Sequence, residues 1–83
     1  MAAITFTRGT DALGRTEYRH ETARHRFLTT RNGRGWETEV WTVKTVGTVA
    51  PVIVVRDRHL ETIGADTLGD AREDIAAWIA RRG

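Results

Sequence analysis

The chain has 83 residues, no cysteine, no serine and a formal net charge of +2. That length builds one domain, which buries only about 60–65% of the surface its unfolded chain exposes. Disulfides and thiolate metal sites are excluded, which fits a cytosolic protein.

In chain order, Ile4-Thr5-Phe6-Thr7 alternates apolar and polar residues and reads as a short strand. Gly9 to Gly14, GTDALG, reads as a turn or loop. In residues 16–31, Tyr18, Ala23, Phe27 and Leu28 fill a helical pattern poorly, whereas the Thr and aromatic content suits a strand. Asn32-Gly33 is a strong hairpin signal, since both residues tolerate positive φ. The second arm runs from Trp36 to Val46 and ends at Gly47. Pro51 opens Val52-Ile53-Val54-Val55, where a missing N–H does least harm. Four consecutive β-branched apolar residues predict a strand covered, at least in part, on both faces. Arg56-Asp57-Arg58 suits a turn, with Leu60 to Ile63 a last short strand or a bulged continuation of the one before.

The C-terminus predicts a helix. Thr67 is its N-cap, with Asp70 three residues on. Leu68, Ala71, Ile75, Trp78 and Ile79 share one face. Asp70, Glu73 and Asp74 sit near the positive end of the helix dipole, and Arg81 and Arg82 near the negative end. The expected fold is α+β: one compact domain over 1–83, a small antiparallel meander of about four strands with one C-terminal amphipathic helix packed on one face.

An even-numbered hairpin loop sets the faces of the two arms. Phe27, Thr29, Trp36, Thr38 and Val40 then point one way, and this acid-free set belongs under the helix. Arg24, Arg26, Leu28, Glu37, Glu39, Trp41 and Val43 point the other way, toward solvent, with cross-strand Arg–Glu pairs. On that polar face a Trp is either roofed by an arginine stem or meets a partner.

The segment YRHETARHRF holds His20 and His25 one residue further apart than the zinc-protease pattern. Five residues apart puts them about 140° apart on a helix, and on opposite faces of a single strand. They are read as surface histidines on a solvated strand, not as metal ligands. Glu37 and Glu39 share a face about 7 Å apart, opposite Arg24 and Arg26, so salt pairing is their expected role. With no Cys or Ser nucleophile and no Gly-rich phosphate loop, the expectation is a protein that is not an enzyme and takes no cofactor, no metal and no small-molecule substrate.

Charge is unevenly spread. Residues 1–35 carry seven Arg against Asp11, Glu17 and Glu21, whereas residues 60–83 carry three Arg against five acids. That skew suits an anionic partner or head-to-tail self-association. Lys44 is the only lysine; codon bias in a GC-rich genome accounts for such a preference, although arginine also suits phosphate recognition. Two functions follow. The first is a small protein-interaction or regulatory module, of the kind a phage or mobile element uses on a host complex, with Arg24, Arg26, Leu28 and Trp41 at the contact or an open strand edge used instead. Self-association falls within this reading. The second is a nucleic-acid-binding protein using Arg19, Arg24, Arg26, Arg31 and Arg34 on the hairpin 19–41. MAAITFTRG shows no signal-peptide pattern and the longest apolar run, Val49 to Val55, is far short of a membrane span, so a soluble cytoplasmic protein is expected.

The passage TIGADTLGDAREDI is similar to the strand-to-helix passage of HicB-type antitoxins in a Thr, a Gly and an acid–Thr pair opening the helix. The likeness covers under a quarter of the chain and includes a one-residue insertion. The family's Pro- and Gly-containing segment before that passage and its helix after the first strand have no counterpart here, and any capped helix following a strand would look similar. The family is not adopted.

Overall fold

The computed structural model describes residues 4–82. Strands β1 (Thr7–Thr10), β2 (Thr16–Glu21), β3 (His25–Asn32), β4 (Gly35–Val46) and β5 (Ile53–Ala65) are followed by helix α1 (Leu68–Arg82). The strands form one antiparallel sheet in the order β1-β2-β3-β4-β5. The expected α+β meander with a C-terminal helix is therefore present, with five strands rather than about four.

The count differs because residues 16–31 fold back on themselves. Thr22 closes a tight turn: its Oγ1 accepts the N–H of His25 at 3.1 Å and of Arg24 at 3.4 Å. Its own N–H donates to the His25 carbonyl at 2.9 Å. A side-chain hydroxyl here supplies the local alternative to ladder bonding that ends one strand and starts the next. At the other end of the sheet, residues 53–65 join into one long strand, the bulged continuation that the sequence allowed. β5 slips against β4 between Val40 and Trp41 and again between Trp41 and Val43. At the second slip Thr42 Oγ1 accepts the Arg58 N–H at 3.0 Å and donates to the Arg58 carbonyl at 3.4 Å. One side chain thus satisfies backbone groups that the bulge removes from the ladder.

The β3–β4 turn is even-numbered, with Asn32 opposite Gly35. Gly33 has φ of +62° and Arg34 is not positive. The turn pair is therefore Gly33-Arg34, with glycine in the first central place as a II′-type turn requires, and Asn32 is the last strand residue. The parity is unchanged, so four of the five residues of the predicted inner set are buried, while Trp36 is only half-buried. Phe27 and Val40 are opposite one another and fully buried. Thr29 and Thr38 are also buried, and their hydroxyls meet at 2.7 Å.

Helix α1 covers that side. Thr67 caps it, its Oγ1 accepting the Asp70 N–H at 3.0 Å. Ala71, Ile75 and Trp78 face the sheet. Ile4, Phe27, Val40, Ile75 and Trp78 make the core, with Phe6, Leu60, Ile63, Ala76 and Ile79 around it. Trp78 stands edge-on to Phe27, ring centres 5.4 Å apart, and donates its indole N–H to Glu61. The N-terminal segment is tied under the helix by Arg72 Nη2, which donates to the Ile4 carbonyl at 2.9 Å.

The helix is too short for the strand it returns along. Its 15 residues span about 22 Å, against about 43 Å for the 13 residues of β5. It therefore covers roughly the Leu60–Ala65 half. β3 also stops at His25, opposite Thr42. Beyond that level β4 and β5 continue as a two-stranded ribbon, residues 43–56, which reaches past both the helix and β3.

At Gly35 an added Cβ would lie 2.7 Å from the Ala65 carbonyl oxygen, and backbone cannot yield as a flexible side chain does. Gly35→Ala should lower the unfolding free energy by about 1–3 kcal/mol, measured by urea denaturation. Gly64→Ala, with nothing within 4 Å of the added atom, should cost clearly less.

Candidate functional site

The structure distributes the candidate residues over three places: the helix-covered face, the open face and the two turns that end β3. The histidines differ from expectation. Because the chain turns at Thr22, His20 and His25 lie on two strands rather than one, and both rings come to the helix side. Their centres lie 5.9 and 6.4 Å from that of Phe27. The opposite-face argument applied to a single strand and fails here. His20 Nδ1 donates to the Thr5 carbonyl at 3.0 Å. His25 stands edge-on to Trp78 at 4.7 Å. Among the described residues no group of three or more His, Cys, Asp or Glu side chains is disposed to hold a metal.

On the open face the expected pairs of Glu37 and Glu39 with Arg24 and Arg26 do not form; Glu39 instead meets Arg56 of β5 at 3.9 Å. The register sets Arg26 opposite Trp41, Leu28 opposite Glu39 and Thr30 opposite Glu37. Arg26 turns instead to β2, which the one-strand reading of 16–31 could not supply: its Nε lies 2.7 Å from Glu21 Oε1. That contact is ionic rather than an aligned hydrogen bond, since the buried Nε–H has no acceptor along its axis. Arg26 Nη2 also donates to the Val54 carbonyl at 3.2 Å, drawing the ribbon toward this face. Glu37 accepts from Asn32 Nδ2 at 3.3 Å. Glu39 accepts the Trp41 indole N–H at 2.9 Å.

Trp41 is roofed. The Arg56 guanidinium lies 4.7 Å from its ring centre, and His59 leans on it at 5.1 Å. Leu28 is only 7% exposed. Of the contact set Arg24, Arg26, Leu28 and Trp41, therefore, neither apolar member presents a free surface.

The arginines of the proposed nucleic-acid ribbon are also divided. Arg19 lies 3.2 Å from Glu17 and 3.9 Å from Glu21, and Arg26 is held by Glu21. Among the described residues Arg24, Arg31 and Arg34 have no acid within 4 Å, but they sit at opposite ends of β3. Arg24 is in the β2–β3 turn; Arg31 precedes the β3–β4 turn and Arg34 lies within it. The eight residues of β3 separate the two ends by about 25 Å.

Two hollows flank the sheet. One, of about 480 Å³ on the open face, is lined by Arg15, Arg19, Arg26, Arg56, Glu17 and Glu39 among others. Beside it Asp11 ties the β1–β2 turn, accepting the Arg15 and Leu13 N–H groups at 2.9 Å each. The Arg15 backbone bond is the largest influence holding that carboxyl below its ordinary value. The other hollow, of about 570 Å³ at the start of α1, has only acids as its charged lining: Glu37, Asp66, Asp70, Glu73 and Asp74.

The feature that sequence reasoning placed wrongly is the ribbon. Residues 44–54 are exposed without interruption. Val49 is 79% exposed and Ile53 59%, with Val46, Val52 and Val54 also open. The apolar run expected to be covered on both faces is the most exposed apolar stretch of the fold. The signal was present in the sequence as the longest apolar run, but its exposure follows from the lengths of its neighbours. On the helix side Val46 stands opposite Ile53 and Lys44 opposite Val55; on the other, Thr45 opposite Val54 and Val43 opposite Arg56. No helix is long and apolar enough to cross a membrane among the described residues. Comparison with protein-family models, curated proteins and solved structures returns no match.

His25 generates a pH dependence. Burial first, then the charges of Arg82 and Arg24, hold its pKa below the ordinary 6.5. As pH falls through 6.5 the unfolded chain takes up this proton before the folded one, so stability falls and then levels off below the lowered folded pKa. Between about pH 7.5 and about pH 5.5 the urea midpoint of the wild type should drop further than that of His25→Phe. Equal drops would count against it.

Proposed function

We propose that the protein is a small non-enzymatic protein-interaction module whose contact element is the β4–β5 ribbon. One observation carries the reading: the aliphatic side chains Val46, Val49, Val52, Ile53 and Val54 are 43–79% exposed on one projecting element. Scattered exposed aliphatics are ordinary, but several gathered on one hairpin mark an element that a partner would cover. An isolated two-stranded hairpin is marginally stable in water, so cover would also steady the part of the ribbon that extends beyond its neighbours.

This reading moves the contact from the Leu28–Trp41 face to the ribbon and its open strand edge. The opposite edge of the sheet is a poorer candidate, because β1 is four residues long and carries Arg8, two features that blunt an edge. The nucleic-acid reading has less support. A major-groove ribbon needs its arginines together and free, whereas here two are neutralised and the remaining three are split between two ends of a strand.

The test uses Ile53→Lys. Ile53 packs against nothing in the core, so the far-ultraviolet spectrum should be unchanged. Proteins recovered from an extract of the source cell with the wild type, and identified by mass spectrometry, should fall about tenfold or more with the variant, as for a central apolar anchor. Recovery that ignores the substitution would sink the ribbon as the contact. In parallel, labelled duplex DNA should show no binding at about 50 mM salt; binding that weakens steeply by about 200 mM would favour the arginines instead.

A further inference from the structure

We propose that the ribbon is covered by a second copy of this chain, the two copies packing the helix-side faces of their ribbons together about a two-fold axis. The proposal rests on the reading of the ribbon as the contact element and names its occupant.

Four observations lead to it. First, Val52–Val55 has the composition of a strand covered on both faces, yet α1 ends about halfway along β5 and β3 stops at His25. No described element of the same chain reaches the ribbon's helix side. Second, a two-stranded extension that carries exposed aliphatics gains from cover as soon as the chain folds. The partner always present at matching concentration is the chain itself.

Third, the two sides of the ribbon are unequal. The Val54 carbonyl accepts from Arg26 Nη2 at 3.2 Å, which turns that side toward the open face of its own sheet. The helix side keeps the exposed pair Val46 and Ile53, with Val55 beside them, and has no such tether. Fourth, the patch is self-complementary. Val46, Ile53 and Val55 carry no charge, and Lys44, which stands opposite Val55, is paired with Asp57 at 3.5 Å. A two-fold contact places the same patch on both partners, so a patch with paired charges at its rim meets no like charge at its centre. An apolar middle with a polar rim is also the ordinary anatomy of an interface.

The experiment is sedimentation velocity on the full chain from about 1 to about 100 μM, a range that brackets micromolar association. The wild type should sediment as a dimer at the upper end. Ile53→Lys and Ile53→Glu should each sediment as monomers, because like charges then meet near the axis. An equimolar mixture of the two variants should recover the dimer, which also shows that neither substitution ruined the fold. A wild type that stays monomeric throughout overturns the proposal, as does an Ile53→Lys dimer of undiminished affinity. A monomeric wild type that floats with phosphatidylserine vesicles would assign the ribbon to a lipid surface and likewise overturn the second copy. Failure here is separable from failure of the ribbon as contact element: a monomer whose extract partner is still lost on Ile53→Lys keeps the module and discards the dimer.

Discussion

The closure of the β3–β4 hairpin at Asn32 and Gly35 is the constraint on which the other features depend. A strand alternates its side chains with period two, so one residue more or fewer in that turn would exchange the two faces of β3 relative to β4. With the observed two-residue turn, Phe27, Thr29, Thr38 and Val40 stack on one side. That side is where Ile75 and Trp78 can bury their apolar surface. The same closure sends Arg26, Leu28, Glu39 and Trp41 to the open face. Gly33 makes the closure possible, since its φ of +62° is a conformation most side chains resist.

The ribbon follows from a mismatch of lengths. A helix rises about 1.5 Å per residue and a strand about 3.3 Å, so a helix returning along a strand of similar residue count covers about half of it. The covered half of β5 joins the core through Leu60 and Ile63. The uncovered half carries Ile53, Val54 and Val55, beyond the two slips in register against β4. Bulges increase local twist and re-aim a strand, and the Arg26 bond to the Val54 carbonyl is consistent with a ribbon turned toward the open face.

The open face shows why its sites were only partly readable. That Trp41 would be roofed by an arginine was one of two readings open from the sequence, and Arg56 supplies the roof across the β4–β5 ladder. The partners of Arg26 were not readable, because they come from β2 and β5 rather than from the hairpin that contains it. Charges on a sheet are neutralised by whichever strand lies alongside, and neighbouring strands are a property of the turns. A single hydroxyl, that of Thr22, turned the supposed continuous strand into two and brought His20 and His25 to the same side as Phe27.

From sequence alone the α+β class, the capped C-terminal helix with its buried face, the parity of the central hairpin and the core residues Phe27, Val40, Ile75 and Trp78 were legible. Each rests on local chemistry or on periodicity: a Thr67 hydroxyl for a helix N–H, a 3.6-residue stripe, a Gly in a tight turn, alternation along a strand. Only the tertiary structure decided which charges meet, which side the histidines take, and whether Val52–Val55 is covered. Those outcomes depend on distances between elements far apart in the chain. Composition states that an aliphatic run favours burial; the reach of the neighbouring helix and strand determines whether one chain can provide it.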